Sequence, residues 1–102
     1  MVTVGMYYDV IPGQGPTFQD KFEAVIEALR AGEGHKSSFL YQRVDDPDSY
    51  AIISEWDDAD AFYSFIRSDA FREVTAWGRS QILRNAPRHK IYPRSEDVGR
   101  PA

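Results

Sequence analysis

Two histidines, six tyrosines and two tryptophans are the side chains of this 102-residue chain best suited to chemistry. It has no cysteines, which removes disulfides, thiolate metal sites and cysteine nucleophiles together. His35 follows a glycine-rich stretch, and His89 lies in the last apolar segment. Either imidazole could accept a proton near neutral pH or ligate a metal. No third histidine and no helical carboxylate pair completes a ligand set, so no mononuclear metal site is expected. Tyr7, Tyr8, Tyr41, Tyr50, Tyr63, Tyr92, Trp56 and Trp77 promise an aromatic interior. Such rings pack cores and interfaces, but they also stack on planar ligands, and a tyrosine hydroxyl can orient a phenol. Gly13-x-Gly15 is too short and too badly placed for a nucleotide loop. Asp45-Asp46-Pro47-Asp48 lacks the spacing and distal glutamate of an EF-hand and reads as a turn.

Size and charge narrow the classes. A chain of this length holds one domain and buries only about two thirds of its unfolded surface, so a partner would help it. Net charge −4 with pI near 5.0 argues against nucleic acid as a partner. Arg67, Arg72, Arg79, Arg84, Arg88 and Lys90 form a basic stretch, read as a solvated face or as a guide for an anionic ligand. The amino terminus has no basic start and carries Asp9, and no apolar run would span a bilayer. A cytoplasmic protein with no membrane partner is the expectation.

The elements that must position these side chains follow from periodicity. Met1 to Ile11 alternates as a strand, with Val2, Val4, Met6, Tyr8 and Val10 on one face. The cluster from Pro12 to Pro16 is a turn, and Thr17 reads as the cap of a helix. Phe18, Phe22, Val25, Ile26 and Leu29 make that helix's apolar stripe, and Gly32 and Gly34 end it. Lys36–Val44 and Tyr50–Trp56 read as a hairpin of strands. Asp57 caps a second helix with Phe62, Phe65 and Ile66 inside, and Ser68-Asp69 looks like a second cap, hence a kink or restart. Phe71, Val74, Thr75, Gly78 and Ile82 extend the stripe until Pro87, and Arg88–Tyr92 makes the last strand. Residues 1–93 form the domain and 94–102 a loose tail that could dock elsewhere. The order β-α-β-β-α-β is the ferredoxin-like α+β arrangement, a four-stranded antiparallel sheet with helices on one face. The strands are apolar on both faces, so the bare face calls for a second copy, a homodimer. His35 and His89 fall on strands that need not be neighbours.

Ser54-Glu55-Trp56, Ala61-Phe62 with Phe65, Ser68-Asp69-Ala70-Phe71 and Gly13 together resemble the antibiotic biosynthesis monooxygenase family of the dimeric α/β-barrel superfamily. The resemblance covers roughly residues 2–93. It implies a small dimeric oxygenase that oxidises a planar aromatic molecule with O2 and no built-in cofactor. On that reading His35 is the base, while Met6, Tyr41, Phe65 and Trp77 line the substrate pocket. The family's haem-degrading branch uses an Asn, a Trp and a His ligand at places that fall on Met6, Phe65 and Thr75. Those departures leave haem only a different ligand, His35 or His89, as an alternative reading. A third is a non-catalytic dimeric module that binds a small ligand.

Overall fold

The computed structural model describes residues 1–76 and 82–93. The elements are β1 (Val2–Asp9), α1 (Gly15–Ala31), β2 (His35–Gln42), β3 (Ser49–Trp56), α2 (Ala59–Ile66), α3 (Asp69–Thr75) and β4 (Arg88–Pro93). All strand pairs are antiparallel, in the order β2-β3-β1-β4. This is the ferredoxin-like sheet. It puts His35 and His89 on opposite edge strands.

The alternation expected in the first strand is present. Val4, Met6, Tyr8 and Val10 are buried, together with Tyr50, Ile52, Ser54 and Trp56 of β3, under the helices. Phe18, Val25, Ile26 and Leu29 of α1 complete the core from above, and Phe62 and Phe65 of α2 close its other end. Trp56 is fully buried at that end, and its Nε1–H donates to Ser54 Oγ at 2.9 Å. Around the indole stand His35 at 5.1 Å, Phe65 at 5.5 Å and Phe62 at 5.8 Å between ring centres. One residue thus contacts β2 and α2 from β3.

Several boundaries differ from the sequence reading. α1 begins at Gly15, not after Thr17, because Pro16 sits in the first turn, where its missing N–H costs nothing. Asp58, rather than Asp57, caps α2 and accepts from Ala61 N at 2.8 Å. The expected restart is real: Ser68 Oγ accepts from Phe71 N at 3.2 Å and opens α3. α3 ends at Thr75, so the helix does not run on to Pro87. Leu83 instead bridges to Val10, and Ile82 O accepts from Ile11 N at 2.8 Å. β2 stops at Gln42, leaving Val44 fully exposed in a loop built by turn chemistry. There Asp48 N donates to Asp46 Oδ1 at 3.2 Å, and Arg43 forks onto Asp45 at 2.8 and 2.9 Å.

Gly34 is required between α1 and β2. Its φ is +86°, and a Cβ there would meet the Ala61 methyl at 2.7 Å. The outward sheet face carries Phe39 and Tyr41, 60% and 54% exposed. On the same face Tyr7 folds across Gly5 and shares a 2.8 Å hydrogen bond with the Tyr92 hydroxyl.

Ser54→Ala should cost about 1–3 kcal/mol by stranding the buried indole N–H. In a Trp56→Phe background, which has no such N–H, the same change should cost under about 0.5 kcal/mol. Urea denaturation of the four proteins measures this coupling. An equal cost in both backgrounds would show that the bond contributes nothing.

Candidate functional site

β4 lies against β1 in a register that sets His89 beside Met6. Both belong to the face covered by α2 and α3. Between that end of the sheet and the two helices runs a cleft of about 200 Å³. Met6, Tyr8, Phe62, Ile66, Phe71 and His89 line it, with Pro87 and Arg88 completing its wall. The restart at Ser68 creates the opening, since it turns Phe71 back beside Phe65 at 5.2 Å rather than letting one helix continue.

The cleft is mostly apolar, and its polar lining comes from His89, Tyr8 and Arg88. His89 stands exposed on its edge strand, with its ring 5.3 Å from Phe62 and 6.2 Å from Tyr63. Tyr8 is buried, and its hydroxyl reaches the Met6 thioether at 3.8 Å. Burial away from water raises the Tyr8 hydroxyl's pKa well above its ordinary value, so it stays protonated. Arg88 turns its guanidinium to Asp9, 2.9 Å away, and that hydrogen bond is the main reason the Asp9 carboxyl is held below its usual range. Arg72 is likewise engaged, with Asp69.

The side chains singled out from sequence scatter. Met6 lines the cleft. Phe65 is buried against Trp56 and Phe71, and faces a separate groove floored by Ala28, Ala31 and Ala61. Tyr41 lies on the outward face of β2, away from the cleft. Trp77 and Arg79 lie outside the described residues. His35 is half-buried at the start of β2, edge-on to Trp56, with Nε2 2.7 Å from Ser38 Oγ. It shares no wall with Met6. Burial is the main cause that pushes its pKa down, and the Arg30 charge adds to this against an opposing hydrogen bond at Ser37. Phe62, Ile66 and Phe71 read as packing in the sequence, and Tyr8 is one of several rings there that could pack or face a ligand. Only the β1–β4 register, which no local pattern reveals, makes them a site with His89.

A family model described as Antibiotic biosynthesis monooxygenase matches residues 1–77. The chain belongs to the antibiotic biosynthesis monooxygenase family. A crystal structure of a conserved Methanosarcina mazei protein superposes with TM-score 0.78 at 26% identity, covering 89% of each chain. A cofactor-independent oxygenase of Streptomyces nogalater shares the fold, with TM-score 0.77 at 22% identity over 91% of each chain. A Natronomonas pharaonis protein, provisionally named heme-binding, is 39% identical over 87 residues, which cover 85% of this chain. Those residues are 14% of that protein, so this family member spans about one seventh of its curated relative.

His35 makes stability sensitive to mild acid. Unfolded, its imidazole takes up a proton near the ordinary 6.5; folded, it does so only at lower pH. Between those values the unfolded chain binds more protons, so stability is full above the window and falls as pH drops through it. His35→Gln should flatten the decline between about pH 6.5 and the carboxylate range near 4. Thermal melts across that range test this, and identical slopes for both proteins would remove His35 as the cause.

Proposed function

We propose that this domain is a dimeric oxygenase that oxidises a one- or two-ring hydroxyarene with O2, using its apolar cleft and His89. The observation that carries this reading is the juxtaposition of one imidazole with a ring-lined, largely apolar cleft. An apolar wall of Met6, Phe62, Ile66 and Phe71 limits the hydration of a bound arene, which favours electron transfer from its deprotonated form. His89 is the polar group placed to take the phenolic proton. The reaction balances without an external reductant: a dihydroxyarene gains one oxygen atom and loses two hydrogens. These leave with the second oxygen as water, giving a hydroxyquinone. The family, and the named activity of the Streptomyces nogalater oxygenase, agree with this chemistry.

Size selects the substrate class. An apolar cavity of about 150 Å³ holds benzene, whereas common ligand pockets start near 300 Å³. A cleft of about 200 Å³ suits one or two fused rings. That volume favours a small arene over haem, although His89 stands at the cleft's edge and the Natronomonas pharaonis protein carries a heme-binding name.

Oxygen uptake with 1,4-dihydroxynaphthalene, above the rate without protein, should fall at least tenfold in His89→Ala, while His35→Ala keeps most of it. The reverse ranking would return the role of base to His35. Adding hemin should leave its Soret band at the free position, and a shifted band would favour the haem-binding reading.

The bare sheet face supports a second copy as partner. Phe39 and Tyr41 are large and exposed there, and both described helix layers pack on the opposite side. Light scattering should give twice the 11.6 kDa chain mass, and Phe39→Glu with Tyr41→Glu should give the chain mass itself. A wild-type protein at the chain mass would end the dimer proposal.

A further inference from the structure

The Tyr8 hydroxyl is a buried donor with a poor partner, and it belongs to the wall of the cleft. Tyr8 is 5% exposed, with its ring held by Phe18 at 5.3 Å, so the side chain cannot swing to solvent. Among the described residues its one hydrogen bond runs to Met6 Sδ, 3.8 Å away. A thioether is a weak acceptor, and a buried hydroxyl without a good acceptor costs free energy. A core position with no ligand to serve would be filled as well by phenylalanine. Tyr50, the other buried tyrosine, is satisfied within the protein: Gln19 donates to its hydroxyl at 2.9 Å and Gln42 at 3.3 Å. Tyr8 is the exception, and the atom it touches, Met6, also faces the cleft.

We propose that Tyr8 is the ligand-positioning donor of the cleft, giving its hydroxyl hydrogen to an oxygen of the bound arene. This rests on the cleft reading above and sharpens it. The substrate must carry an acceptor oxygen, a hydroxyl or keto group, at the end that enters first. The ligand's oxygen replaces the Met6 sulfur as acceptor, and the flexible thioether moves aside. Raised by burial, the hydroxyl remains a donor throughout the neutral range. Its role is therefore orientation, distinct from proton removal at His89.

The test is binding, not turnover, so that it can fail independently of the oxygenase chemistry. 2-Naphthol and naphthalene differ by one hydroxyl, and each is titrated into wild type and Tyr8→Phe while the Met6 methyl resonance is followed by NMR. Wild type should prefer 2-naphthol, and Tyr8→Phe should weaken 2-naphthol about three- to tenfold while leaving naphthalene unchanged. Tyr8→Phe should melt at or above the wild-type temperature, because it removes a poorly paired buried hydroxyl. Equal 2-naphthol affinity in the two proteins overturns the role of Tyr8 and leaves the cleft standing. No Met6 response to either compound in wild type overturns the cleft and this role with it. Should Tyr8→Phe melt well below wild type, the hydroxyl is structural and the proposal fails.

Discussion

The buried indole of Trp56 is the constraint on which the rest of the structure depends. A tryptophan N–H sealed from water needs a partner, and Ser54, two residues back on the same strand face, supplies it. With that bond made, the ring can act as a purely apolar block. α2 settles on it through Phe62 and Phe65, β2 begins against it at His35, and Gly32 lets the end of α1 approach within contact of its far edge. The position of α2 fixes where α3 restarts, and the α2–α3 bend fixes where Phe71 points. The cleft is therefore a consequence of packing that begins some distance from it. Its walls are the flanks of residues whose other sides hold the fold together, Phe62 above all.

Sheet register does the remaining work. β1 is one of the two central strands, and its residues from Val2 to Tyr7 are paired on both sides, with β3 and with β4. On the inward face Met6 meets Ile52 on one side and His89 on the other, placing a titratable ring at the margin of an apolar surface. On the outward face Gly5 leaves room for Tyr7 to lie flat, which tethers it to Tyr92 of the edge strand. That bond raises the Tyr7 hydroxyl's pKa and draws β4 onto β1 from the side opposite the cleft. The salt bridge from Arg88 to Asp9 secures the same edge at its other end. A mobile β4 would leave His89 without a defined position, and these two outward contacts hold it.

Local pattern carried most of the fold. The alternation of Val4, Met6, Tyr8 and Val10, the Phe18–Leu29 stripe and the Ser68-Asp69 restart are all short-range signals, and the structure realises each. The boundaries that differ are places where two signals compete. Pro16 can stop a strand or start a helix, and Ile82 continues a helical period although tertiary contact puts Leu83 against Val10. The candidate site was far less legible, for a physical reason. His35 precedes a strand beside glycines, which looks exposed and adaptable, yet Trp56 and Ser38 occupy its ring. His89 is a candidate in the sequence beside His35, and only strand pairing over 83 residues of separation from Met6 places it at the cleft.

Chemistry in this fold is thus decided by residual space and by which polar atoms that space leaves underused. Family membership supplies an architecture, and many activities share one architecture. The cleft of about 200 Å³ opens to solvent along Pro87, Arg88 and His89, and the rest of its wall is mostly apolar. Apolar walls exclude a highly charged substrate, because no described side chain lining the cleft would compensate its desolvation except His89 and the already paired Arg88. On the proposed reading the ligand is a small, flat, mostly apolar molecule with one polar end. The two polar groups at the cleft's ends differ in kind: the imidazole of His89 is exposed, and the phenol of Tyr8 is buried. A ligand spanning them would be asymmetric, with its oxygen anchored deep and its acidic hydrogen near the mouth. Such an orientation would leave the middle of the ring system facing Phe62 and Phe71.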